Sequence, residues 1–489
     1  MGKNNLSRHL GLLGLASTGI CSMLGASIYV VPFMIQRNVP GIGPHVLPAF
    51  LVAALPAILA AFAYSILASA MPRAGGSYIY ASRGLNPYLG FVASFSQWFG
   101  LSIAIGVIAY VIIPFLRDIA TQLTMPQLAA TLDNGTIRVI LSLFLLWIFV
   151  YVNIRGVKSY ERTVIPLMFL MFGLGTVVIV AGFFFNHQDF QKAVPTFALP
   201  VADNTTLNIG TFLAASAILF SSFIGFDSIA QAGGEAKNPS SALPKAIAIA
   251  VLTVGSFYFL FTAAVYHAVP WQFIAEEAMT KDITAAGVLS YLLPSGWAIL
   301  IVAGAAIALL NDLPAMILSV SRLMFAWAED GIFPQSISRI SPQHHTPINA
   351  IIGSGVMASV GILGSHFAGD FFLGIDIMVT SMLVNFLLMC VTVVALPKRN
   401  PGLAKEVKVI TNRKLQLLLA SAGILLLMGF LCIHIYKDLT SSVDEWYFHS
   451  TPVWLIVMAV ASLVYFRERK LLEQTGVDTK ALFKQLPEE

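Results

Sequence analysis

Residues 10–36 read LGLLGLASTGICSMLGASIYVVPFMIQ, and residues 209–232 read IGTFLAASAILFSSFIGFDSIAQA. Each stretch is long and apolar enough to cross a hydrocarbon core about 30 Å thick as a helix. Each also carries a small, polar, glycine-centred patch in its middle: Ser22-Met23-Leu24-Gly25-Ala26-Ser27-Ile28 in the first, and Ser222-Phe223-Ile224-Gly225-Phe226-Asp227-Ser228-Ile229 in the second. Lipid offers no partner to free N–H and C=O groups, so unwound backbone at membrane depth is tolerated only where it lines a cavity. Freed N–H groups at the start of a half-helix attract an anion, and freed carbonyls at the end of one attract a cation. A pair of such breaks therefore suits a zwitterion. The alternative is close helix packing of the Gly-xxx-Gly kind. That alternative explains either patch alone but gives no role to Asp227, a carboxylate within a turn of Gly225.

The rest of the chain fits a membrane setting. Of 489 residues, 57% are hydrophobic and only 11% charged, with a mean hydropathy of +0.81, against about 25% charged residues in soluble domains. Apolar runs fall at approximately 10–36, 46–70, 88–116, 139–154, 163–185, 209–232, 245–268, 295–322, 348–366, 372–396, 415–436 and 451–466. Twelve spans of about 20 residues or more leave no room for a large soluble enzyme domain. With the N-terminus inside, 22 of the 28 Lys and Arg lie on the inner side, and only Arg37, Arg117, Arg138, Lys192, Lys281 and Lys437 lie outside. This bias predicts an all-α polytopic protein of the plasma membrane with both termini cytoplasmic. The net charge of +4 is accounted for by this topology, and no nucleic-acid partner is expected. Cys21, Cys390 and Cys432 all lie in apolar runs, and their odd number argues against a disulfide framework.

The two interrupted runs lie about 200 residues apart, and five spans separate their starts, so the second enters from the opposite side. Interrupted helices at matching places in two inverted halves are the best sequence pointer to the binding site of a secondary transporter. The expected units are residues 1–185 (spans 1–5), 186–400 (spans 6–10) and 401–489 (spans 11–12 and a tail). The tail, RERKLLEQTGVDTKALFKQLPEE from 467, mixes charged and apolar residues in the manner of a segment lying along the cytoplasmic surface.

The residues around these breaks resemble the amino acid–polyamine–organocation transporter superfamily. The resemblance is carried by Ser222-Phe-Ile-Gly-Phe-Asp227 with Gly234-Glu-Ala-Lys-Asn-Pro239 and Leu243-Pro-Lys-Ala246, by Met71-Pro-Arg-Ala-Gly-Gly-Ser-Tyr78 with Tyr80, and by Ser321-Arg-Leu-Met-Phe-Ala-Trp-Ala-Glu-Asp-Gly-Ile-Phe-Pro334. These matches cover spans 1 to 8, and within the superfamily the chain is most similar to bacterial relatives of the cationic and heteromeric amino-acid transporters. The resemblance implies a LeuT-type fold of ten inverted-repeat spans plus two. It places a substrate carboxylate on the backbone N–H groups of Gly25, Ala26 and Ser27, and a substrate ammonium on the carbonyls of Met23, Ser221 and Ile224. A side-chain pocket of Phe223, Phe226, Gln97 and Met316 follows, which points to neutral amino acids. Asp227 either meets the substrate or a proton, takes part in a gate, or accepts hydrogen bonds from the unwound backbone of span 6.

Span 8 contains Asn311-Asp312-Leu313-Pro314. An acid deep in an apolar helix is a functional-site candidate by default. By the resemblance, Asp312 falls where sodium-using relatives carry a hydroxyl ligand, and Met171 falls where others carry a Lys that replaces the ion. A carboxylate there can take a proton or, with Ser22 and Ser319, ligate Na⁺. The plain alternative is that Asn311 and Asp312 cap backbone freed by Pro314. One carboxylate with few hydroxyl neighbours favours the proton. No metal or cofactor beyond a coupling H⁺ or Na⁺ is expected, since His344-His345 has no ligand partners at useful spacing. The sequons at Asn134 and Asn204 are short enough to arise by chance. No Gly-xxxx-Gly-Lys phosphate loop occurs, and no nucleophile–base pair lies at membrane depth. The reading is therefore a proton-coupled secondary transporter and not an enzyme. An exchanger, a sodium symporter and a non-transporting amino-acid sensor are the alternatives, and a partner subunit is left open.

Overall fold

The computed structural model describes residues 6–25, 27–197, 207–280, 283–368, 371–441 and 446–488. Every regular element among them is helical. Twelve spans are long and apolar enough to cross a membrane: Leu12–Asn38, Gly43–Ala70, Pro87–Gln122, Gly135–Ile154, Val157–Phe184, Ile209–Gln231, Pro239–Ala268, Gly296–Glu329, Ile348–Phe367, Leu373–Arg399, Arg413–Leu439 and Ser450–Gln474. All twelve expected spans are present. Several run further than the apolar pattern: span 3 to Gln122, span 8 to Glu329 and span 12 to Gln474. Hydropathy marks where a helix leaves hydrocarbon, whereas backbone hydrogen bonding carries it on into the polar zone. An even number of spans puts both chain ends on one side of the bundle, the terminal face. The protein is an all-α, multi-pass membrane protein.

The two glycine-centred patches are breaks. Span 1 consists of helices Leu12–Leu24 and Ser27–Asn38. Span 6 runs as Ile209–Leu219, tightens to a 3₁₀ turn at Phe220–Phe223, and resumes only at Ser228–Gln231. Gly225 lies between, at φ +132°, and a Cβ there would stand 2.3 Å from the carbonyl oxygen of Ser22. The unwound stretch of span 6 thus rests directly on the backbone of span 1. On the other side, a Cβ at Gly25 would collide with the Asp312 carboxylate at 1.7 Å. Break, break and acid are stacked in one line through spans 6, 1 and 8.

The terminal face is closed by main-chain pairing and buried ion pairs. The Leu10 N–H donates to the Glu235 carbonyl at 2.9 Å, and the Lys237 N–H to the Leu10 carbonyl at 2.8 Å. The segment after span 2 pairs with the end of span 6 through Gly75 N–H to the Gln231 carbonyl at 3.1 Å. Arg322, at the end of span 8, forks onto the Glu235 carboxylate, and both side chains are fully buried. Gly225→Ala adds a methyl group where backbone atoms leave no space, and at a φ that L-residues rarely adopt. It is expected to lower the apparent melting temperature of the purified protein markedly and to broaden its size-exclusion profile, whereas Gly173→Ala in span 5, which meets nothing within 4 Å, leaves both unchanged.

Candidate functional site

A small cavity of about 50 Å³ lies at the breaks. Its polar end is formed by Ser22, Met23 and Ser27 of span 1, Ser221 and Ile224 of span 6, and Asp312 of span 8. Its apolar wall comes from Leu101, Ala104, Val107 and Ile108 of span 3, Met316 of span 8, and Ile375 and Met378 of span 10. Ile375 and Met378 lie in the first turns of span 10, on the side away from the termini.

Buried polar groups almost always find partners, so exceptions matter. Here Ser22 Oγ, Ser221 Oγ and Asp312 Oδ1 are buried with no hydrogen-bond partner among the described residues, and all three residues line this cavity. Three hydrogen-bonding groups, one of them a carboxyl, are thus held ready at one end of an otherwise apolar chamber. Asn311, beside Asp312, has a different occupation. Its amide donates to Cys21 Sγ at 2.9 Å and to the Val164 carbonyl at 3.3 Å, tying span 8 to spans 1 and 5. It does not face the cavity, so the pair divides into a tether and a free acid.

Seven of the expected site residues share this cavity: Ser22, Met23, Ser27, Ser221, Ile224, Asp312 and Met316. Gly25 lies against Asp312, and Ala26 falls outside the described residues. The expected side-chain pocket differs in three members. Phe223 turns towards spans 2 and 7, where its ring packs on Phe50 and Tyr258 at centroid distances of 5.6 and 6.3 Å. Phe226 stacks on Phe386 at 5.0 Å and meets Tyr64 edge-on at 5.6 Å. Both rings find a fuller aromatic cage than the cavity offers. Gln97 is held one layer nearer the terminal face by a polar network.

That network surrounds Asp227, which is fully buried. Asp227 accepts from the Gly225 N–H at 3.1 Å through one carboxylate oxygen and from the Gln97 amide through the other. The Gln97 carbonyl oxygen accepts from Gln231 at 3.2 Å and from Asn385 at 3.3 Å. Gln231 donates on to Ser77 Oγ at 2.7 Å, Asn385 to the Tyr64 hydroxyl at 2.7 Å, and Tyr64 and Ser77 meet at 2.6 Å. Spans 2, 3, 6 and 10 and the helix Gly76–Gly84 are joined in one layer, which floors the cavity. In this arrangement Asp227 supports the unwound backbone of span 6 and does not line the cavity.

Tyr258 of span 7 went unnoticed in the sequence, where it is one aromatic among several in an apolar run. Its hydroxyl donates to the Met23 carbonyl at 3.1 Å and also meets Ser27 Oγ. It bridges the two halves of span 1 across the break. The wall residues of spans 3 and 10 carried no sequence signal either, since apolar residues on an apolar helix look alike from every side.

A polytopic bundle with two nested broken spans around a buried chamber is the architecture of a solute permease. The chain belongs to the amino acid permease family, whose sequence profile matches residues 10–463. It is 26% identical over 420 residues to the Branched-chain amino acid permease BcaP of Bacillus subtilis (strain 168), covering 83% of this chain and 84% of that protein. It is 28% identical over 375 residues to Cationic amino acid transporter 4 of Mus musculus, covering 73% of this chain and only 55% of that longer protein. It is also 25% identical over 486 residues to the Methylthioribose transporter of Bacillus subtilis (strain 168), covering 96% of each.

Removing the Asp227 carboxyl strands two buried donors, each at a cost of about 1–3 kcal/mol. Asp227→Ala is expected to lower the melting temperature of the purified protein well below that of Asp227→Asn, which keeps an acceptor for Gly225. Equal melting temperatures for the two variants contradict the supporting role.

Proposed function

We propose that this protein is a secondary transporter that carries a small aliphatic amino acid across the plasma membrane by alternating access, coupled to protons through Asp312. One observation carries the proposal: three unpartnered polar groups, on Ser22, Ser221 and Asp312, stand at the broken ends of spans 1 and 6 and face an apolar wall. The substrate ammonium would lie beside the carbonyls of Met23, Ser221 and Ile224 with the free hydroxyls, and the carboxylate at the start of the half-helix that begins at Ser27. The side chain would then meet Leu101, Ala104, Val107, Ile375 and Met378. The wall holds no second charge, which favours an aliphatic over a cationic side chain and agrees with the likeness to a branched-chain amino acid permease.

An unpaired carboxylate at membrane depth costs at least about 2.5–3.5 kcal/mol. Asp312 therefore has to be balanced by a proton or a cation whenever the site is empty. Its contact with Gly25 puts that balance at the hinge of span 1, so uptake of a proton and rearrangement of the break are mechanically linked. Spans 1, 2, 6 and 7 would rock against the others around the filled site. The distribution of basic residues supports a cytoplasmic terminal face. Ser22 and Ser319, whose hydroxyls are both unpartnered, make sodium the alternative ion. The end-to-end match to the methylthioribose relative favours a second reading, in which the apolar wall receives a thioether and the hydroxyls receive a sugar.

Purified protein in liposomes separates these readings. Labelled leucine, arginine and methylthioribose are offered under a pH gradient, a sodium gradient, or internal counter-substrate alone. The expected result is leucine accumulation driven by the pH gradient. Asp312→Asn should cut that accumulation by about 5- to 150-fold, the span of a coupling free energy of about 1–3 kcal/mol, while leucine exchange continues. Flux that requires internal amino acid only makes the protein an exchanger, and Asp312→Asn without effect removes the coupling role.

A further inference from the structure

After span 12 the chain turns back beneath the terminal face. One helical turn at Thr479–Leu482 leads into a segment whose main chain is bound at three successive places. The Lys484 carbonyl accepts from Asn400 Nδ2 at 3.1 Å, the Gln485 carbonyl from Arg83 Nε at 3.1 Å, and the Pro487 carbonyl from Arg73 Nε at 2.9 Å. Phe483 is buried, 7% exposed, with its ring 5.4 Å from the Arg83 guanidinium. Leu482 and Leu486 pack on the main core. Arg83 is itself buried and forks onto Asp330 at the end of span 8, so the Gln485 carbonyl completes a guanidinium already committed on its other side.

The three anchors belong to different parts of the bundle. Asn400 follows span 10 and Asp330 follows span 8. Arg73 lies on the stretch after span 2, which is paired to the end of span 6 through Ala74 with Ala232 and Gly75 with Gln231. A Cβ on Gly233 would meet the Arg73 carbonyl at 2.5 Å, so Arg73 is packed closely against the end of span 6. Opening the terminal face separates spans 2 and 6 from spans 8 and 10. Carbonyls at 484, 485 and 487 are tied to both groups, and a tether this short has no slack. A segment that merely lay on the surface would not bury a phenylalanine or engage two arginines through its backbone.

We propose that residues 482–488 form a strap that holds the terminal face closed and must detach before this side of the cavity can open. The strap deepens the alternating-access reading and rests on it. Docked, it bridges spans 2 and 6 to spans 8 and 10; detached, it leaves the Glu235–Arg322 pair and the Asp227–Gln97–Asn385 layer as the closures between those groups.

The test uses the full chain in lipid nanodiscs and in liposomes, as the unaltered protein, Phe483→Ala, and the milder Arg73→Lys, which weakens the Pro487 anchor alone. Backbone hydrogen exchange is followed at residues 231–237, 326–332 and 396–402, the ends of spans 6, 8 and 10, with spans 3 and 9 as internal references, and initial leucine flux is measured in parallel. The strap predicts exchange about tenfold faster at the three gate segments with the references unchanged, and faster initial flux in both variants. Unchanged gate exchange, or exchange that rises equally in the reference spans, overturns it by showing a passive or globally stabilising tail. If Phe483→Ala does not fold, Arg73→Lys decides alone by the same criteria. Local gate opening in a protein that carries no solute under any gradient supports the strap and removes the transport reading, so the two fail separately.

Discussion

Everything in this molecule depends on how backbone set free from a helix is accommodated at membrane depth. Spans 1 and 6 each surrender several main-chain hydrogen bonds, and lipid can replace none of them. The bundle answers by stacking the breaks: Gly225 lies on the Ser22 carbonyl, and Gly25 lies on Asp312. Side chains complete the accounting, one from span 7 and one from span 6 itself. Tyr258 bridges the halves of span 1, and Asp227 turns back to hold the Gly225 N–H. Among the groups these devices leave without partners, Ser22, Ser221 and Asp312 share one cavity. Three such groups around one cavity give a polar ligand hydrogen bonds there that the protein itself does not fill.

The same economy explains the asymmetry between the two sides of that cavity. Towards the termini, the Asp227–Gln97–Gln231–Asn385 layer, the Glu235–Arg322 pair, the Leu10 bridge and the segment after span 12 close the path in succession. In the proposed rocking of spans 1, 2, 6 and 7, the Asp227 layer, the Glu235–Arg322 pair and the segment after span 12 join spans that would have to separate, whereas the Leu10 bridge ties spans 1 and 6 within one moving group. The apolar wall of spans 3 and 10 has no such bonds and provides shape alone. On the transport reading proposed above, gating and recognition would fall to different chemistry: polar layers for the gate, packing for the solute side chain.

Much of this was legible in the sequence, for reasons that also explain the remainder. Twelve apolar runs and two glycine-centred interruptions depend only on position along the chain, so the spans, the breaks and the depth of Asp312 could be read directly. The directions of side chains beside the breaks could not. Unwinding at Ile224–Asp227 changes the azimuth of every residue around it, so Phe223 and Phe226 point into aromatic cages and away from the solute. The family resemblance puts Gln97 in the side-chain pocket, but Asp227 and Gln231 claim it first. Asn311 and Asp312, adjacent in sequence, face different neighbours because one residue turns a helix by about 100°. The docking of Phe483 and Pro487 depends on arginines some 400 residues away, and no local pattern announces such a partner.

The central claim is that the unpartnered groups at the two breaks hold an amino acid by its charged ends. A structure determined with leucine at saturating concentration tests it most directly. The account predicts ligand density between spans 1, 3, 6, 8 and 10, with the ammonium at the Met23, Ser221 and Ile224 carbonyls, the carboxylate at the start of the helix beginning at Ser27, and the isobutyl group against Ala104, Val107 and Met378. Density in which the polar ends lie against the span 3 and span 10 wall, or an empty cavity at saturating leucine, would contradict it.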